Sequence, residues 1–384
     1  MQHRQALAKI RGFSLLEMMI SLALGMLVVG AAVQIFSKGL AATFVVQQKS
    51  EMQQDIRGAE SMLVKDISMA GAGLPAGGIA LISGSGITRP VYGCDATSGC
   101  VYVNKGSVNF PQQTSGSNTT NYLYAIIPGY ALGPTITTGQ GATDVITLTS
   151  TDLNLPLSNY AVTFTGTVIS SAQFTGSVPT GQPKLNDAGY GLKIGDLLYF
   201  TGKRSGNSVS AIGEVTGVSG TASPFTVSFA NTDPMKLNQS GGNSGLSSLV
   251  SPSAATGITA TRLLMVTYSL DYVTDSAGNK TYRLMRQLNG QTPVPQVEGL
   301  SDLRFRYDVY DTSRTPATQT QTTDAFLSTG GSPNLIRQVD ITHMTIRSAV
   351  KGTSGYQGLD IQTSVSARNL GFSDRYGGSY SYSH

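Results

Sequence analysis

Residues 9–36 read KIRGFSLLEMMISLALGMLVVGAAVQIF, an apolar run that contains a single acid, Glu17, close to its start. The apolar part, from Phe13 to Val33, has 21 residues, which is enough to cross a bilayer as a helix. A carboxylate at the centre of a membrane helix costs about 2.5–3.5 kcal/mol on insertion scales. A second group must therefore offset the cost of Glu17 wherever this helix functions.

Three basic residues, Arg4, Lys9 and Arg11, precede the apolar run. Lys and Arg collect on the cytoplasmic side of membrane spans, so the N-terminus is predicted to stay in the cytoplasm while the rest of the chain is exported. A buried core helix is a poor alternative, because the run is long and has a basic flank. A secretory signal peptide would have a shorter apolar segment of about 7–15 residues that ends at a cleavage site. Here the apolar helix instead continues into an amphipathic one, which favours a helix that stays in the mature protein.

The amphipathic continuation runs from Gln47 to Ala70, where apolar residues recur at steps of four and three along one helical face. The residues of this stripe are Met52, Ile56, Ala59, Leu63, Ile67 and Ala70. The sequence GAGLPAGG at 71–78 ends the helix with glycines and a proline. One helix is therefore predicted from about Phe13 to Ala70, with a length of about 85 Å at about 1.5 Å per residue.

Residues 76–260 are poor in charge and rich in Gly, Ser, Thr and Asn. Short β-type segments are separated there by turn residues, which predicts a β-rich region with long loops. Two of these loops are predicted at 111–121 and 238–256. The β-type segments lie at 144–149, 160–169, 196–202, 209–218 and 225–229.

Residues 261–370 contain longer and more regular strand patterns. The segment LRFRYDVY at 303–310 alternates apolar and polar side chains, so one of its faces is predicted to be buried. We expect an antiparallel sheet whose apolar face packs against the amphipathic helix. DSAGNK at 275–280 joins two of its strands. This segment offers oxygen ligands but lacks the full pattern of a calcium loop, so we interpret it as a hairpin turn.

Charge and motifs argue against several functions. The net charge is +4, from 26 basic and 22 acidic residues. Without the three N-terminal basic residues, 23 basic residues remain against the 22 acidic ones. The rest of the chain is therefore close to neutral, and no basic patch for nucleic acid is predicted. Neither G-x-S-x-G, H-E-x-x-H nor a P-loop occurs. His343 is the one histidine of the presumed folded body, and we interpret it as a structural strand residue. A membrane-anchored enzyme that uses carboxylates alone remains an alternative, and no cofactor or metal is predicted.

Cys94 and Cys100, in CDATSGC, are the two cysteines of the chain. If the body is exported, a disulfide that closes this small loop is expected. Two free thiols are the alternative. Because His343 is the one histidine of the presumed folded body, it and the two cysteines are one ligand short of a four-ligand zinc site unless an acid joins them.

The segment GFSLLE at 12–17, behind a short basic leader, resembles the class III signal of type IV prepilins and pseudopilins. The resemblance implies that a membrane peptidase cleaves after Gly12 and methylates the new amine of Phe13. It also implies that Glu17 pairs with the protonated N-terminus of Phe13 in a neighbouring subunit, since each charge alone would be costly in apolar surroundings. A local role is the alternative, because Ser14 and Glu17 have the spacing of a capping box.

Further segments are similar to PilW-like minor pilins and to J-type minor pseudopilins of type II secretion. These segments are KIGDLLYFTG at 193–202, VEGLSDLRFRYDVY at 297–310 and SVSARNL at 364–370. The resemblance implies an α+β, pilin-like fold in which a long N-terminal helix packs on an antiparallel sheet with a large β-rich insertion. It implies a non-enzymatic minor pilin that primes or caps a type IV pilus. A pseudopilin of type II secretion and a membrane-anchored surface adhesin are the alternatives.

The expected partners are a prepilin peptidase, other major and minor pilins along the N-terminal helix, and inner-membrane lipid before assembly. The expected location is the inner membrane, with one span, a cytoplasmic N-terminus and an exported head, and later the pilus at the cell surface. The predicted organisation is a leader at 1–12, a membrane and assembly helix at 13–36, an amphipathic half at 37–75, a β-rich insertion at 76–260, a C-terminal sheet at 261–370 and a flexible tail at 371–384.

Overall fold

The computed structural model describes residues 14–75, 77–84, 86–102, 106–115, 118–136, 141–164, 169–239, 245–311, 318–323, 332–349 and 356–370. The predicted leader at 1–12, Phe13 and the predicted tail at 371–384 lie outside these ranges. The chain divides into two compact units. The first contains the chain up to Gln53 together with Ser348–Gln357, and the second contains Gln54–Arg347 together with the residues from Gly358 onward.

One long helix, α1, extends over Leu15–Met69. Met18 N donates to Ser14 O (3.1 Å) at its start, and strong helix formers such as Leu, Met and Ala fill its first half. At its end Gly71 has a φ of +84°, a conformation that glycine adopts without a steric penalty. The prediction of one helix from about Phe13 to Ala70 is confirmed over the described residues.

The burial of α1 follows the predicted stripe. All six predicted residues are at most 5% exposed: Met52, Ile56, Ala59, Leu63, Ile67 and Ala70. The apolar side chains of the first half are exposed instead. The helix therefore changes, within one continuous element, from an apolar surface to a buried stripe with polar flanks.

Among the strands of the described chain, those before residue 145 have at most six residues, and the longest strands lie after it. The first eight are β1 (Ile79–Ala80), β2 (Val91–Tyr92), β3 (Cys94–Asp95), β4 (Gly99–Cys100), β5 (Val108–Asn109), β6 (Gln112–Ser115), β7 (Asn118–Leu123) and β8 (Ile126–Gly129). The next seven are β9 (Val145–Asp152), β10 (Tyr160–Phe164), β11 (Ser171–Gly176), β12 (Leu197–Arg204), β13 (Asn207–Glu214), β14 (Gly217–Ser219) and β15 (Phe225–Ser228). The last seven are β16 (Thr256–Thr274), β17 (Lys280–Leu288), β18 (Val294–Glu298), β19 (Leu300–Asp311), β20 (Thr318–Thr322), β21 (Ile336–Ala349) and β22 (Tyr356–Ser366). Short 3₁₀ helices lie at Leu157–Asn159, Gly245–Leu249 and Pro333–Leu335.

The largest sheet of the described chain is antiparallel and contains seven strands: β8, β9, β12, β13, β16, β17 and β18. Its central strand is β16, which pairs with β12, β17 and β9. The predicted boundary at 260 falls inside β16, and the sheet unites strands from both sides of that boundary. Alternating side chains identify the faces of a strand but not its neighbours, so the sequence did not reveal this sharing.

A four-stranded antiparallel sheet follows, with the order β20-β19-β21-β22. As predicted from 303–310, its strand β19 buries Leu303, Phe305, Tyr307 and Val309. A second four-stranded sheet, β10-β11-β15-β14, shares a core cluster rich in aromatic side chains with strand β12 of the seven-stranded sheet. The long helix and the antiparallel sheets confirm the predicted α+β fold.

The two predicted long loops need correction. Residues 111–121 contain β6 and most of β7, which pair as a hairpin. Within 238–256, a 3₁₀ helix occupies Gly245–Leu249 and Asn238 is buried. The loops were predicted from the abundance of polar residues. Thr is also a good strand former, however, and antiparallel strands can carry polar side chains on a solvent-exposed face.

Candidate assembly site

The first half of α1 presents an apolar surface. Its large apolar side chains from Leu15 to Phe44 are 45–79% exposed. In the described part of the chain, α1 is the one helix that is long and apolar enough to cross a membrane. Apolar residues on all sides of a helix require a lipid or protein environment rather than water. This half of α1 is therefore the candidate surface for membrane insertion and for assembly.

Glu17 lies in the first turn of α1 and is exposed. Within residues 14–75, neither Ser14 nor Glu17 has a side-chain hydrogen bond, so the two bonds of a capping box are not formed. The carboxylate still lies where the helix dipole favours a negative charge. Gly12 and Phe13, the predicted cleavage residues, lie outside the described residues.

The second half of α1 is attached to the seven-stranded sheet through Asp66. Its Oδ2 accepts hydrogen bonds from Tyr268 Oη (2.8 Å) and Arg286 Nε (3.1 Å). Tyr268 on β16 and Arg286 on β17 face each other across the two strands, and Arg286 Nε also donates to Tyr268 Oη (3.2 Å). One carboxylate thus holds two adjacent strands.

The electrostatics of this anchor follow from its burial. Burial raises the pKa of Tyr268 above its ordinary value, and the charge of Asp66 adds to this rise. Burial alone would lower the pKa of Arg286, but the charge of Asp66 opposes it and the pKa is raised overall. Tyr268 therefore stays neutral and Arg286 stays charged, the states in which both donate to Asp66.

Further contacts hold the C-terminal end of α1. Asn369 Nδ2 donates to the carbonyls of Ser68 (3.1 Å) and Ala70 (3.2 Å), which satisfies acceptors that a helix end leaves open. Thr363 Oγ1 donates to the carboxylate of Glu60. Earlier in the helix, Gln357 Nε2 donates to Gln48 Oε1 (2.8 Å) and to the carbonyl of Val45 (3.3 Å).

Comparison with protein families identifies a motif at the start of the chain. Residues 7–33 match the family model of the prokaryotic N-terminal methylation motif. The chain carries a prepilin-type N-terminus. The matched segment contains Gly12, Phe13 and Glu17, together with most of the apolar half of α1. Comparison with proteins of established function finds no match, and neither does comparison with solved structures.

The prepilin-type N-terminus supports a type IV pilin-like protein that a prepilin peptidase processes and that takes part in pilus or pseudopilus assembly. Together with the apolar half of α1, it fits an inner-membrane anchor with an exported head. We use "head" for residues 76–370. The match ends at residue 33, so it does not distinguish between classes of pilin.

The two cysteines of this prepilin-like chain lie close together in the head. They are directly opposite each other in the small hairpin of β3 and β4, and their Sγ atoms lie at disulfide distance, 2.03 Å. Between them, Asp95 Oδ1 accepts from the amides of Thr97 (2.7 Å) and Ser98 (2.8 Å). The Asp95 turn brings the two strands of the hairpin together.

His343 lies on β21, inside a strand as predicted. Its Nδ1 is 3.1 Å from Asp360 Oδ2 on β22, and Thr345 Oγ1 donates to Asp360 Oδ1 (2.9 Å). These side chains line an open cavity of about 650 Å³. Its lining residues are Ser301, Asp302, Arg304, His343, Thr345, Arg347 and Asp360. Among the residues that the structure describes, no group of three or more His, Cys, Asp or Glu side chains is placed to hold a metal ion.

The segment 275–280 forms the hairpin turn between β16 and β17. Asp275 Oδ1 accepts from the amides of Ala277 (2.9 Å) and Asn279 (2.8 Å), and Oδ2 accepts from Asn279 Nδ2 (2.9 Å). The side chain and the amide of Asn279 lower the pKa of Asp275. Both carboxylate oxygens are thus used within the turn, which supports the hairpin interpretation over a calcium loop.

The Asp66 anchor is not among the sites predicted from the sequence. A signal was present, because Asp66 lies three residues after Leu63 and seven after Ala59, on the face of the buried stripe. An acid on an otherwise buried face requires a partner, by the reasoning applied above to Glu17. The identity of its partners, Tyr268 and Arg286, depends on how the distant strands pair.

Proposed function

We propose that this chain is a minor pilin, a non-enzymatic structural subunit that primes or caps a type IV pilus. The observation that carries the proposal is the methylation motif at 7–33 at the start of a continuous helix. The exposed apolar half of α1 lies in the inner membrane before assembly and among the helices of other pilins afterwards. In the filament, the carboxylate of Glu17 forms a charge pair with the protonated amine of Phe13 of the neighbouring subunit.

The size of the head favours a position of low copy number. Besides the seven-stranded sheet, the head contains the sheet β10-β11-β15-β14 and the hairpin of β3 and β4 that carries Cys94 and Cys100. Repeated along a helical filament, such a head would crowd the neighbouring subunits. A priming or tip position leaves room for it, and it also leaves the region 76–260 available as an adhesive surface.

Processing by a prepilin peptidase tests the proposal first. In a host with an active peptidase, the mature chain should lack residues 1–12 and begin with N-methylated Phe13. Intact-mass measurement of the membrane fraction gives the answer, and the same host without the peptidase is the control. An uncut leader in the competent host would contradict the prepilin interpretation itself.

A second measurement separates the pilus from the alternatives. A tagged chain should co-purify with the major pilin of its own cells, because the apolar halves of α1 are expected to pack together. Recovery of pseudopilins of a type II secretion system instead would favour the pseudopilin alternative. Normal processing without recovery of any pilin would favour a membrane-anchored surface adhesin.

A further inference from the structure

Two carboxyl groups are buried against each other in the head. Glu214 is the last residue of β13 and is 1% exposed, and Asp233, in the turn that follows β15, is 0% exposed. The two side chains are in direct electrostatic contact. Two interacting carboxyl groups that are both buried cannot both be ionised at an acceptable free-energy cost.

The hydrogen bonds around the pair leave one acceptor open. Asp233 Oδ2 accepts from the amides of Leu237 (2.6 Å) and Asn238 (3.2 Å), and Glu214 Oε2 accepts from the amide of Met235 (3.3 Å). Asp233 Oδ1 is buried and receives no hydrogen bond from another donor in the described chain. The Glu214 and Asp233 side chains are hydrogen-bond partners of each other, and a proton held between the two carboxyl groups supplies the donor that this contact needs.

The segment 233–238, which we call the clasp, is also attached to β13 through Asn238. Asn238 Oδ1 accepts from the amide of Glu214 (3.0 Å), and its Nδ2 donates to the carbonyls of Glu214 (2.6 Å) and Ala230 (3.2 Å). Lys236, which belongs to the clasp itself, is a further charged group that acts on the carboxyl pair. The position of the clasp therefore depends on a small polar cluster.

The clasp in turn holds the segment that leads to the cysteine hairpin. Met235 O accepts from the amide of Val91 (2.9 Å), and Gln239 Nε2, next to the clasp, donates to the carbonyl of Thr88 (3.3 Å). The side chains of Met235 and Leu237 are buried in a core cluster. This cluster includes Tyr92, Tyr102 and Phe110. Release of the clasp would therefore expose apolar side chains and free the strand that contains Val91.

We propose that residues 233–238 form a proton-dependent clasp, in which a proton shared by Glu214 and Asp233 holds this loop and the segment at Val91 in place. Loss of the proton in alkaline solution leaves two charges in a buried site and releases both segments. The proposal concerns the head alone and does not depend on the filament to which the chain belongs.

The pKa of Glu214 agrees with this geometry. Burial, and then the charge of Asp233, raise it to about 9 from the ordinary value of 4.5. The folded state therefore holds a proton that the unfolded state has lost at intermediate pH. The contribution of Glu214 to stability is therefore fully present below about pH 4.5 and is lost as the pH rises towards about 9. At neutral pH the clasp is closed, and it opens through the alkaline range.

Glu214→Gln is the variant that tests the clasp, because an amide keeps a donor towards Asp233 and cannot lose it. Amide hydrogen exchange should be followed in the full chain in detergent, at residues 233–238 and at Val91. Comparison with wild type at the same pH cancels the intrinsic pH dependence of exchange. At pH 6 the two proteins should exchange alike. At pH 10, about one unit above the pKa of Glu214, wild type should exchange roughly tenfold faster.

The control is Glu298→Gln, which alters an exposed acid and should leave exchange at the clasp unchanged at both pH values. Equal exchange of wild type and Glu214→Gln at pH 10 would overturn the proposal. The measurement should be repeated with excess Ca²⁺. If Ca²⁺ protects the clasp in wild type but not in Glu214→Gln, the pair binds a cation rather than a proton, and the proposal is again wrong. If the variant does not fold, exchange at the wild-type clasp is compared with exchange at the amide of Leu270 in β16. A ratio that rises roughly tenfold from pH 6 to pH 10 supports the proposal, and a constant ratio overturns it.

Discussion

Glu17 and Asp66 are both acids on helix α1, and they differ in what surrounds them. Asp66 accepts hydrogen bonds from Tyr268 and Arg286 of its own chain. Glu17 is exposed in an apolar half-helix and has no side-chain hydrogen bond within the described residues. At the residue scale, therefore, the partner of Asp66 is internal, and we expect the partner of Glu17 to come from another subunit.

Replacement of Glu17 by Val tests this expectation. Membrane insertion should be kept or improved, because an apolar residue replaces one that is costly in hydrocarbon. Cleavage after Gly12 should persist, while incorporation into filaments should fail or weaken because the neighbouring amine loses its partner. Membrane level, cleavage and co-purification with filaments should be compared with wild type.

Ser14→Ala is the matched control for Glu17→Val, since it removes the hydroxyl that has capping-box spacing to Glu17 and keeps the acid. Loss of a cap alone costs about 0.5–2 kcal/mol at one helix end. We expect normal incorporation of Ser14→Ala. If Glu17→Val also incorporates normally, the acid serves the helix end only and our proposal for it is wrong.

The cysteine pair gives a second prediction at this scale. We expect a disulfide between Cys94 and Cys100 in exported protein, with a local stabilisation of about 2–3 kcal/mol in the chain-entropy model. Alkylation of non-reduced protein followed by mass measurement should find neither thiol free. Samples reduced before alkylation give the reference for two labelled thiols, and the same labelling without reduction would show that the pair is not joined.

At the scale of elements, α1 combines two surfaces with different requirements. The buried stripe attaches the helix to the head without directionality, because apolar burial depends on area rather than on angle. Asp66 adds direction, since its carboxylate meets one Tyr and one Arg on neighbouring strands. The anchor therefore orients the part of α1 around Asp66 with respect to strands β16 and β17.

Asp66→Asn should weaken this attachment while keeping the shape of the side chain. Hydrogen bonds to charged groups contribute about 1.5–3 kcal/mol, and the partial exposure of Asp66 and Arg286 places the loss towards the lower end of that range. Chemical unfolding of the full chain in detergent measures the change. Asp55→Asn, an exposed acid on the same helix, should change stability by no more than about 0.5 kcal/mol. Equal effects of the two variants would show that the Asp66 contact contributes nothing specific.

At the scale of the whole molecule, Arg262 joins segments that are far apart in sequence. From β16, its Nε donates to Asp152 Oδ2 (2.7 Å) at the end of β9, and its Nη1 donates to the carbonyls of Tyr190 and Gly191 (3.0 Å each). Asp196 Oδ2 lies 3.5 Å from the same Nη1. The side chain of Arg262 is 11% exposed, and those of the two carboxylates are 3% exposed. One guanidinium thus compensates two buried acids.

Arg262→Met should destabilise the head by about 3–5 kcal/mol, because it leaves Asp152 and Asp196 buried without their cation. Thermal unfolding over a pH series is the measurement. Burial already raises the pKa of Asp196 although Arg262 opposes the rise, so loss of Arg262 should raise it further. The deficit of the variant should therefore shrink as the pH falls and Asp196 takes up a proton.

Arg283→Met is the control for this prediction. Arg283 pairs with Asp271 (3.1 Å), but the two side chains are 24% and 42% exposed, and exposed pairs contribute about 0–1 kcal/mol. A deficit of Arg262→Met that is as small as that of Arg283→Met, or that does not change with pH, would contradict the assigned role of Arg262.

The sequence by itself determined the helix and strand segments, because these features depend on residues that are close together along the chain. The apolar run and the stripe of steps of four and three predicted α1, five buried positions within it and the buried Ala70 directly after it, because a helix repeats every 3.6 residues. The β-type segments at 144–149, 160–169 and 225–229 correspond to β9, β10 and β15, since alternation and turn residues are equally local signals.

The tertiary structure alone decided which of these elements meet. Strand β16 crosses the predicted boundary at 260 and unites strands from both sides of it, and no local pattern specifies the neighbour of a strand. The partners of Asp66 lie more than 200 residues away, and Glu214 meets Asp233 only because two strands and a turn bring them together. Side-chain chemistry shows that a buried acid needs a partner, but the tertiary fold decides which residue that partner is. Hydrogen bonds and charge pairs act over a few ångströms, whatever the separation of the two residues in the sequence.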